Sequence, residues 1–374
     1  MSANPFLGVV FHWLGGLAAG SFYVPYRAVR NWAWETYWLV GGVFSWIVAP
    51  WALALAMTCD LPSVLSQTPR ACLLKAYFCG VMWGVGGLTF GLTMRYLGMS
   101  LGMAVALGYC TAFGTLVPPI YRGEFVSHVW QTASGRTILI GVAVCLAGIA
   151  LSGVAGTSKE HELEDAQKKL TVREFNFKKG LWMGTFSGVM SSFFSFGLAA
   201  GDPIKELTIA HGTRAIWQGL PVLVVVLFGG FTTNFFWCLL LNLKNRTGYQ
   251  YFSATRRPAA DGEFPTAPSA PRPPSPVAAP MLRNYAFCAL AGGAWYFQFF
   301  FYTMGESQME RYKFSSWTIH MASVIIFSSL WGIALCEWKG TSSRTRRFLA
   351  AGLTTLIFST MIVGYGNYLG ATKP

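Results

Sequence analysis

The sequence predicts an all-α integral membrane protein in which ten transmembrane helices form two inverted five-helix repeats. Hydrophobic residues make up 53% of its 374 residues and charged residues only 11%, whereas about a quarter of residues are charged in soluble proteins. The apolar residues are gathered in runs of roughly 20, the length at which a helix crosses the hydrocarbon core. Because these runs lack the period-two alternation of membrane β-strands, a barrel is excluded.

Charge and cysteine content exclude other classes of protein. Lys and Arg outnumber Asp and Glu by 28 to 15, a net charge of +13, which in a soluble protein would suggest a nucleic-acid partner. Here the basic residues are spread singly between apolar runs, so we expect a lipid bilayer as partner and no nucleic acid. The eight cysteines form no CxxC pair and no zinc spacing with histidine. P-loop, GxSxG and HExxH motifs are also missing, so we expect no ATP-driven motor domain, no enzyme and no metal site.

Residues 1–155 form the first predicted repeat. Its first apolar run begins at Pro5 with no Lys or Arg before it, so we interpret it as a retained helix rather than a secretory signal. Four further runs of similar length follow it. The predicted spans of this half are residues 5–26, 36–57, 72–94, 98–121 and 137–155.

A hydrophilic connector, residues 156–179, carries mixed charge and is expected to include a short solvated helix. The second repeat, residues 180–374, has predicted spans at 180–200, 215–241, 284–303, 316–337 and 348–369. It is interrupted by a loop at 243–283 that holds eight of the 18 prolines and cannot bury a core. We interpret this loop as flexible. The alternative is that it is a ligand for a proline-recognising domain.

Lys and Arg are distributed unequally between alternate connections. One side holds 19 of them, and the other side, both termini included, holds 9. Because cytoplasmic loops are enriched in Lys and Arg, we expect both termini outside the cytoplasm and both hydrophilic segments inside it.

The two halves share short sequence similarities. GVMW at 80–83 in span three resembles GGAW at 292–295 in span eight. Met103 and Gly114 in span four have the same separation as Met321 and Gly332 in span nine. Because each half has an odd number of spans, two such repeats insert with opposite topology, as in many secondary transporters.

Few ionisable side chains occur inside the apolar runs, where burying one costs several kcal/mol. His12 lies in the first span and His320 in the ninth. Imidazole titrates near physiological pH, and its neutral form is easier to bury than a carboxylate. We therefore expect His12 and His320 to couple protons, aided by Glu35 at the start of span two. For Glu35 the alternative is an interfacial position beside aromatic residues.

Aromatic side chains in span eight suggest a sugar site. Sugar rings combine apolar faces with a rim of hydroxyls, so such a site needs flat rings and hydrogen-bonding groups. Trp295, Gln298 and Tyr302 are three and four residues apart and therefore share one helical face. We expect them to bind substrate together with Trp83 of span three and Trp317 of span nine. The alternative is that this stripe only packs or faces lipid.

Several motifs extend these observations over nearly the whole chain. They are FHWLGGLAAGSFYVPYRAVR in span one, GLTMRYLGMS between spans three and four, AWYFQFFFYTMG in span eight and SSWTIHM in span nine. With these motifs the sequence resembles the bacterial L-rhamnose/proton symporters, ten-span carriers of the drug/metabolite transporter superfamily. The resemblance implies L-rhamnose uptake across the bacterial inner membrane driven by the proton gradient, with no covalent chemistry and no cofactor.

Three alternatives remain open at this point. The substrate could be a related deoxysugar such as L-fucose or L-lyxose. The aromatic-rich interior would also serve an exporter or exchanger of small amphipathic metabolites or drugs on the same fold. A membrane sensor or scaffold, whose proline-rich loop recruits a cytoplasmic partner, belongs to a different class.

Overall fold

The computed structural model describes residues 4–97, 99–162, 176–254 and 278–372. Within these ranges the chain is helical and contains no β-strand, as its composition predicts. Ten long helices follow one another there: α1 (Pro5–Tyr26), α2 (Trp34–Met57), α3 (Arg70–Leu97), α4 (Met99–Tyr121), α5 (Ala133–Glu162), α6 (Phe177–Ala200), α7 (Leu220–Asn245), α8 (Met281–Glu306), α9 (Ser316–Ala334) and α10 (Ser343–Thr372).

Short helices connect or interrupt the long ones. α1 is divided at Phe22 into Pro5–Ser21 and Tyr23–Tyr26, and α2 contains the π-helical turn Phe44–Val48 shortly before Pro50. The short connecting helices are Leu61–Gln67, Phe125–Trp130, Asp202–Ala210, Ala215–Trp217, Gly248–Tyr251 and Glu310–Ser315. Of these, Asp202–Ala210 contributes to the site described below.

Eight segments of the described chain are long and apolar enough to cross a membrane. They are Pro5–Tyr26, Trp34–Met57, Arg70–Met94, Leu101–Tyr121, Ala133–Glu162, Ala215–Asn245, Tyr312–Ala334 and Ser343–Ala371. Large apolar side chains such as Trp182, Leu243 and Leu290 are exposed on the outside of the bundle, where they can contact lipid. The prediction of an α-helical, multi-pass membrane protein is confirmed.

Some predicted boundaries differ from those observed. The connector was expected to begin at residue 156, but α5 continues to Glu162. The Glu162 carboxylate accepts hydrogen bonds from the Ser342 backbone N–H and side-chain hydroxyl, both at 2.6 Å. This contact with the start of α10 favours the longer helix. The remaining connector residues 163–175 lie outside the described residues.

The proline-rich loop is also shorter than its predicted range of 243–283. α7 continues to Asn245, a 3-10 helix covers Gly248–Tyr251, and α8 begins at Met281. The residues that contain most of its prolines, 255–277, lie outside the described ranges.

α9 ends at Ala334 rather than at residue 337, because Cys336 adopts a left-handed backbone conformation with φ of 57°, which a helix cannot include.

The long helices pack in a few extended pairs. α5 lies along α10, while α6 packs against both α3 and α4. α1 packs against α8 and α9, α3 against α7, and α2 against α8. The largest cluster of buried apolar side chains lies where these helices meet and includes Phe194, Leu223, Tyr296 and Phe299.

Glycines allow the closest of these contacts. A Cβ atom added to Gly292 of α8 would lie 2.3 Å from the carbonyl oxygen of Gly41 in α2, well inside van der Waals contact. In the corresponding contact between α3 and α7, a Cβ on Gly80 would lie 2.0 Å from the carbonyl oxygen of Val226. Membrane helices associate through such small-residue surfaces because lipid provides no hydrophobic force between them.

We expect Gly292→Ala to lower the melting temperature of the detergent-solubilised protein. The added methyl group must push the α2 backbone away, and overpacking of this kind costs about 1–3 kcal/mol. Gly293→Ala is the matched control, since a Cβ there meets nothing within 4 Å and alanine favours a helix by up to about 1 kcal/mol over glycine. Equal melting temperatures for the two variants would contradict this account.

Candidate functional site

Four aromatic side chains from three helices meet in a buried cluster. They are His12 of α1, Tyr302 of α8, and Trp317 and His320 of α9, each no more than 2% exposed. The ring centroids of His12 and Tyr302 are 5.2 Å apart, and those of Tyr302 and His320 are 5.3 Å apart. The two imidazole centroids are 6.4 Å apart. We call this group the imidazole cluster.

Glycines on α1 bring the three helices this close. A Cβ on Gly15 would lie 2.8 Å from the Gln298 carbonyl oxygen in α8, and one on Gly16 would lie 2.2 Å from the Ser323 hydroxyl oxygen in α9. The Ser323 hydroxyl donates to the backbone carbonyl of His12 at 2.9 Å. His12 is therefore enclosed between α8, which carries Gln298 and Tyr302, and α9, which carries Trp317 and His320.

Several buried polar atoms of this region are unpartnered. Among the described residues, neither ring nitrogen of His12 or His320 has a hydrogen-bond partner, and the same is true of the Gln298 side-chain nitrogen. Buried polar groups in proteins are normally paired. The cluster therefore offers donors and acceptors to a proton or to a polar ligand.

Aromatic rings extend the cluster deeper into the bundle. The Trp317 indole donates to the Cys110 carbonyl oxygen at 3.0 Å, and its ring centroid lies 5.9 Å from that of Phe194. Trp83 lies 4.9 Å from Phe194 and 5.6 Å from Phe299. Trp295 contacts the same Phe299 ring at 5.9 Å. The Tyr302 and Trp317 centroids are 5.7 Å apart, so four of the five predicted substrate residues, all except Gln298, belong to one connected set of ring contacts.

A small cavity adjoins Trp295 at the end of this set. Its volume is about 10 Å³, roughly the space of one water. A pyranose ring does not fit into it without movement of the surrounding helices. Its walls are formed by Phe22, Tyr26, Trp38, Gly42, Ser45, Trp46, Gly292 and Trp295.

Glu35 is the one predicted residue that the structure separates from the others. It is 4% exposed and its carboxylate accepts hydrogen bonds from Asn245 at 3.0 Å and Thr247 at 2.7 Å. Tyr37, two residues after Glu35 on α2, has its ring centroid 5.2 Å from that of Tyr26. Glu35 is therefore near Tyr26. The 14 residues from His12 to Tyr26 correspond to about 20 Å of helix, so Glu35 is at the other end of the bundle.

Sequence reasoning missed a buried ion-pair cluster. The Lys205 ammonium lies 2.7 Å from a carboxylate oxygen of Glu306 and 3.1 Å from one of Asp202. Lys205 belongs to the short helix Asp202–Ala210, and Glu306 is the last residue of α8. The predicted eighth span ended at residue 303, which left Glu306 out of consideration. The available signal was its spacing of four residues from Tyr302, which places both on one helical face.

The opposite charges of this cluster stabilise one another's ionised forms. Burial alone would lower the pKa of Lys205, but the carboxylates of Glu306 and Asp202 raise it above its usual value. Burial would likewise raise the pKa of Asp202, but Lys205, Arg122 and Lys313 lower it below its usual value. Lys205 and Asp202 therefore stay charged at neutral pH. In the part of the chain that the structure describes, no three His, Cys, Asp or Glu side chains gather as metal ligands.

Comparison with known proteins shows which family the chain belongs to. The profile of one family, described as L-rhamnose-proton symport protein (RhaT), matches residues 1–258 and 274–368. A protein of Yersinia pestis named L-rhamnose-proton symporter is 35% identical over 364 residues, which cover 96% of this chain and 97% of the relative. A protein of the same name from Mannheimia succiniciproducens is 35% identical over 367 residues, which cover 98% and 99%. The chain therefore belongs to the RhaT family of L-rhamnose-proton symport proteins.

Proposed function

We propose that this protein imports L-rhamnose together with protons across the bacterial inner membrane. Relatives named for this activity match nearly the full length of the chain. The observation that carries the proposal is the imidazole cluster, in which two fully buried histidines with unpartnered ring nitrogens contact the tyrosine between them.

The two histidines are suited to carry one proton at a time. A neutral imidazole can accept a proton on its free ring nitrogen. Two positive charges in buried rings 6.4 Å apart would repel each other strongly. His12 and His320 therefore act as a pair that accepts one proton from outside and releases it inside, and the hydroxyl-rich sugar stabilises the protonated state by accepting hydrogen bonds.

The sugar binds beside this pair. Trp83 and Trp295 both contact Phe299 and provide flat faces for the C–H surfaces of the pyranose. The unpartnered Gln298 amide and the Tyr302 hydroxyl provide hydrogen bonds to its hydroxyls. Because the cavity beside Trp295 is too small for the ring, the helices around it separate when the sugar enters.

We further propose ten spans arranged as two inverted repeats, residues 1–155 and 180–374. α6 has 24 residues and α8 has 26, lengths of about 36 and 39 Å that exceed the hydrocarbon core. The contact of α8 with α2 through Gly292 and Gly41 has a counterpart in the contact of α3 with α7 through Gly80 and Gly229. Exchanging the two halves maps one contact onto the other.

The helices that begin each half support the same exchange. Asn4 caps α1 by accepting from the Leu7 N–H, and Asn176 caps α6 by accepting from the Lys179 N–H. Four residues after each cap, a glycine packs closely: a Cβ on Gly8 or Gly180 would meet a side chain at 2.7 or 2.4 Å. In this alignment the position of His12 corresponds to residue 184, a glycine. Of these two aligned positions, only the one in the first half carries an imidazole.

The proposed orientation has both termini outside the cytoplasm. Cys59 follows α2 and Cys336 follows α9, and both are exposed. We expect a membrane-impermeant maleimide to label Cys59 in intact cells and Cys336 only after permeabilisation, because the two cysteines lie on opposite sides. Cys59→Ser and Cys336→Ser identify the labelled site, and the reverse pattern would invert the orientation.

Symport itself is tested by proton movement. We expect L-rhamnose added to de-energised cells that express the protein to make a weakly buffered medium more alkaline, because each sugar enters with protons. A pH electrode and labelled sugar measure both fluxes in one sample. Sugar uptake without alkalinisation would contradict symport, and counterflow of labelled metabolites without L-rhamnose transport would indicate an exporter or exchanger.

The imidazole cluster is tested by His320→Gln. We expect this variant to lose about 5- to 150-fold of its proton-driven L-rhamnose accumulation, the range of ordinary coupling free energies between two sites. Uptake is measured between external pH 5.5 and 8. His128→Gln is the matched control, since His128 is exposed in the turn after α4. An unchanged pH profile of His320→Gln would remove this residue from proton coupling.

A further inference from the structure

We infer that Glu306 is a proton-binding group of the transport cycle, and that its ion pair with Lys205 holds the external end of the site closed until Glu306 is protonated. This inference rests on the proposed symport activity and adds to it a residue outside the imidazole cluster. Three observations support it: the ion pair lies beside the imidazole cluster, it joins two parts of the bundle, and Lys205 has a second carboxylate partner.

The ion pair adjoins the imidazole cluster directly. Glu306 follows Tyr302 by one helical turn and lies on the same face of α8. Gly305, its neighbour in sequence, packs against His12: an added Cβ would lie 2.8 Å from a ring carbon of that histidine. A proton on Glu306 is therefore at the edge of the cluster that contains the two imidazoles.

The pair also joins two parts of the bundle across one end of the site. Lys205 is carried by the short helix after α6, whereas Glu306 ends α8. This end is the one at which α1 begins, because a Cβ on Gly8 would lie 3.1 Å from the Gly305 carbonyl oxygen. In the proposed orientation it faces the outside. Lys205 and Glu306 are only 3% and 8% exposed, so the pair is buried beneath this surface.

Lys205 can lose its contact with Glu306 without becoming an unpaired charge. Breaking a buried ion pair is strongly destabilising when it leaves one charge uncompensated. Here the ammonium also contacts Asp202 at 3.1 Å, and the second carboxylate oxygen of Asp202 is paired with Arg122. Protonation of Glu306 therefore frees α8 while the positive charge remains neutralised on the short helix.

The groups that face Glu306 come from four directions. Lys205 and Asp202 face it from the short helix, and Tyr302 precedes it on α8 by one turn. His12 lies beyond Gly305 on α1. Arg122 after α4 and Lys313 before α9 act on Asp202. Of these groups, Lys205 is the one in direct contact with the Glu306 carboxylate, at 2.7 Å.

Glu35, a second buried carboxylate, has partners of a different kind. It is buried to a similar degree but accepts only from the neutral groups of Asn245 and Thr247 among its described side-chain partners. It therefore provides a matched control, since Glu35→Gln makes the same chemical change at the opposite end of the bundle.

The test uses purified full-length protein in proteoliposomes and two assays of labelled L-rhamnose. One measures exchange at equal sugar concentrations without a gradient, and the other measures accumulation driven by an imposed pH gradient. We expect Glu306→Gln to retain exchange within about twofold of the unsubstituted protein but to accumulate no sugar, because glutamine mimics the protonated carboxyl group. Glu306→Asp, which keeps a titratable group, is expected to restore gradient-driven accumulation. Glu35→Gln is expected to change both assays in the same proportion.

Closure is measured separately by labelling Met309→Cys from outside in a Cys59→Ser background. Met309 is 1% exposed and packs on Gly8 at this end. We expect its labelling by an impermeant maleimide to increase at least fivefold when Glu306→Gln is added. In the protein that keeps both Glu306 and Lys205, we expect labelling to increase as external pH falls. This measurement does not depend on transport by a substituted protein.

Two results would overturn the inference. In the first, Glu306→Gln accumulates L-rhamnose as well as the unsubstituted protein does. In the second, Gln and Asp variants lose exchange and accumulation in equal proportion while labelling of residue 309 is unaffected by pH, which would make Glu306 structural. Failure of the proposed function is a different result, namely no L-rhamnose exchange by the unsubstituted protein.

Discussion

Close contact between helix backbones is the constraint on which the rest of this structure depends. In a bilayer the helices gain little by burying apolar surface against one another, so van der Waals contact and interhelical hydrogen bonds hold the bundle together. Gly15 and Gly16 let α1 approach α8 and α9 so closely that a Cβ atom at either position would collide with the neighbouring helix. Without that approach His12, Tyr302 and His320 would not share one buried cluster.

The same constraint bears on the two halves of the proposed repeat, which share glycine contacts but differ in the side chains at the site. Glycine contacts recur in both halves, at Gly41 with Gly292 and at Gly80 with Gly229, because backbone approach is needed at both interfaces. The side chains placed on that frame differ, since residue 184 is a glycine where the first half carries His12. Glycine contacts thus recur in both halves, whereas the imidazole cluster takes His12 from the first half and Tyr302, Trp317 and His320 from the second.

The two buried carboxylates illustrate how surroundings determine the role of an ionisable group. Glu35 accepts hydrogen bonds from an amide and a hydroxyl, and these attach α2 to the end of α7. Glu306 contacts a buried ammonium that already has a second carboxylate partner. The first arrangement is a fixed hydrogen-bonded anchor. The second can exchange one charge partner for another at modest cost, which is the requirement for a group that changes protonation during a cycle.

The sequence by itself determined the helical membrane class through its hydropathy, and its motifs indicated the family. Helical spacing and the scarcity of ionisable groups in apolar runs, which are properties of the chain alone, predicted the candidate site residues His12, His320, Trp83, Trp295, Gln298, Tyr302 and Trp317. Only the tertiary structure decided which of these residues meet. It separated Glu35 from the histidines, extended α5 to Glu162 and paired Lys205 with Glu306 across 101 residues. Such contacts depend on how distant helices pack, and local periodicity carries no information about a partner on another helix.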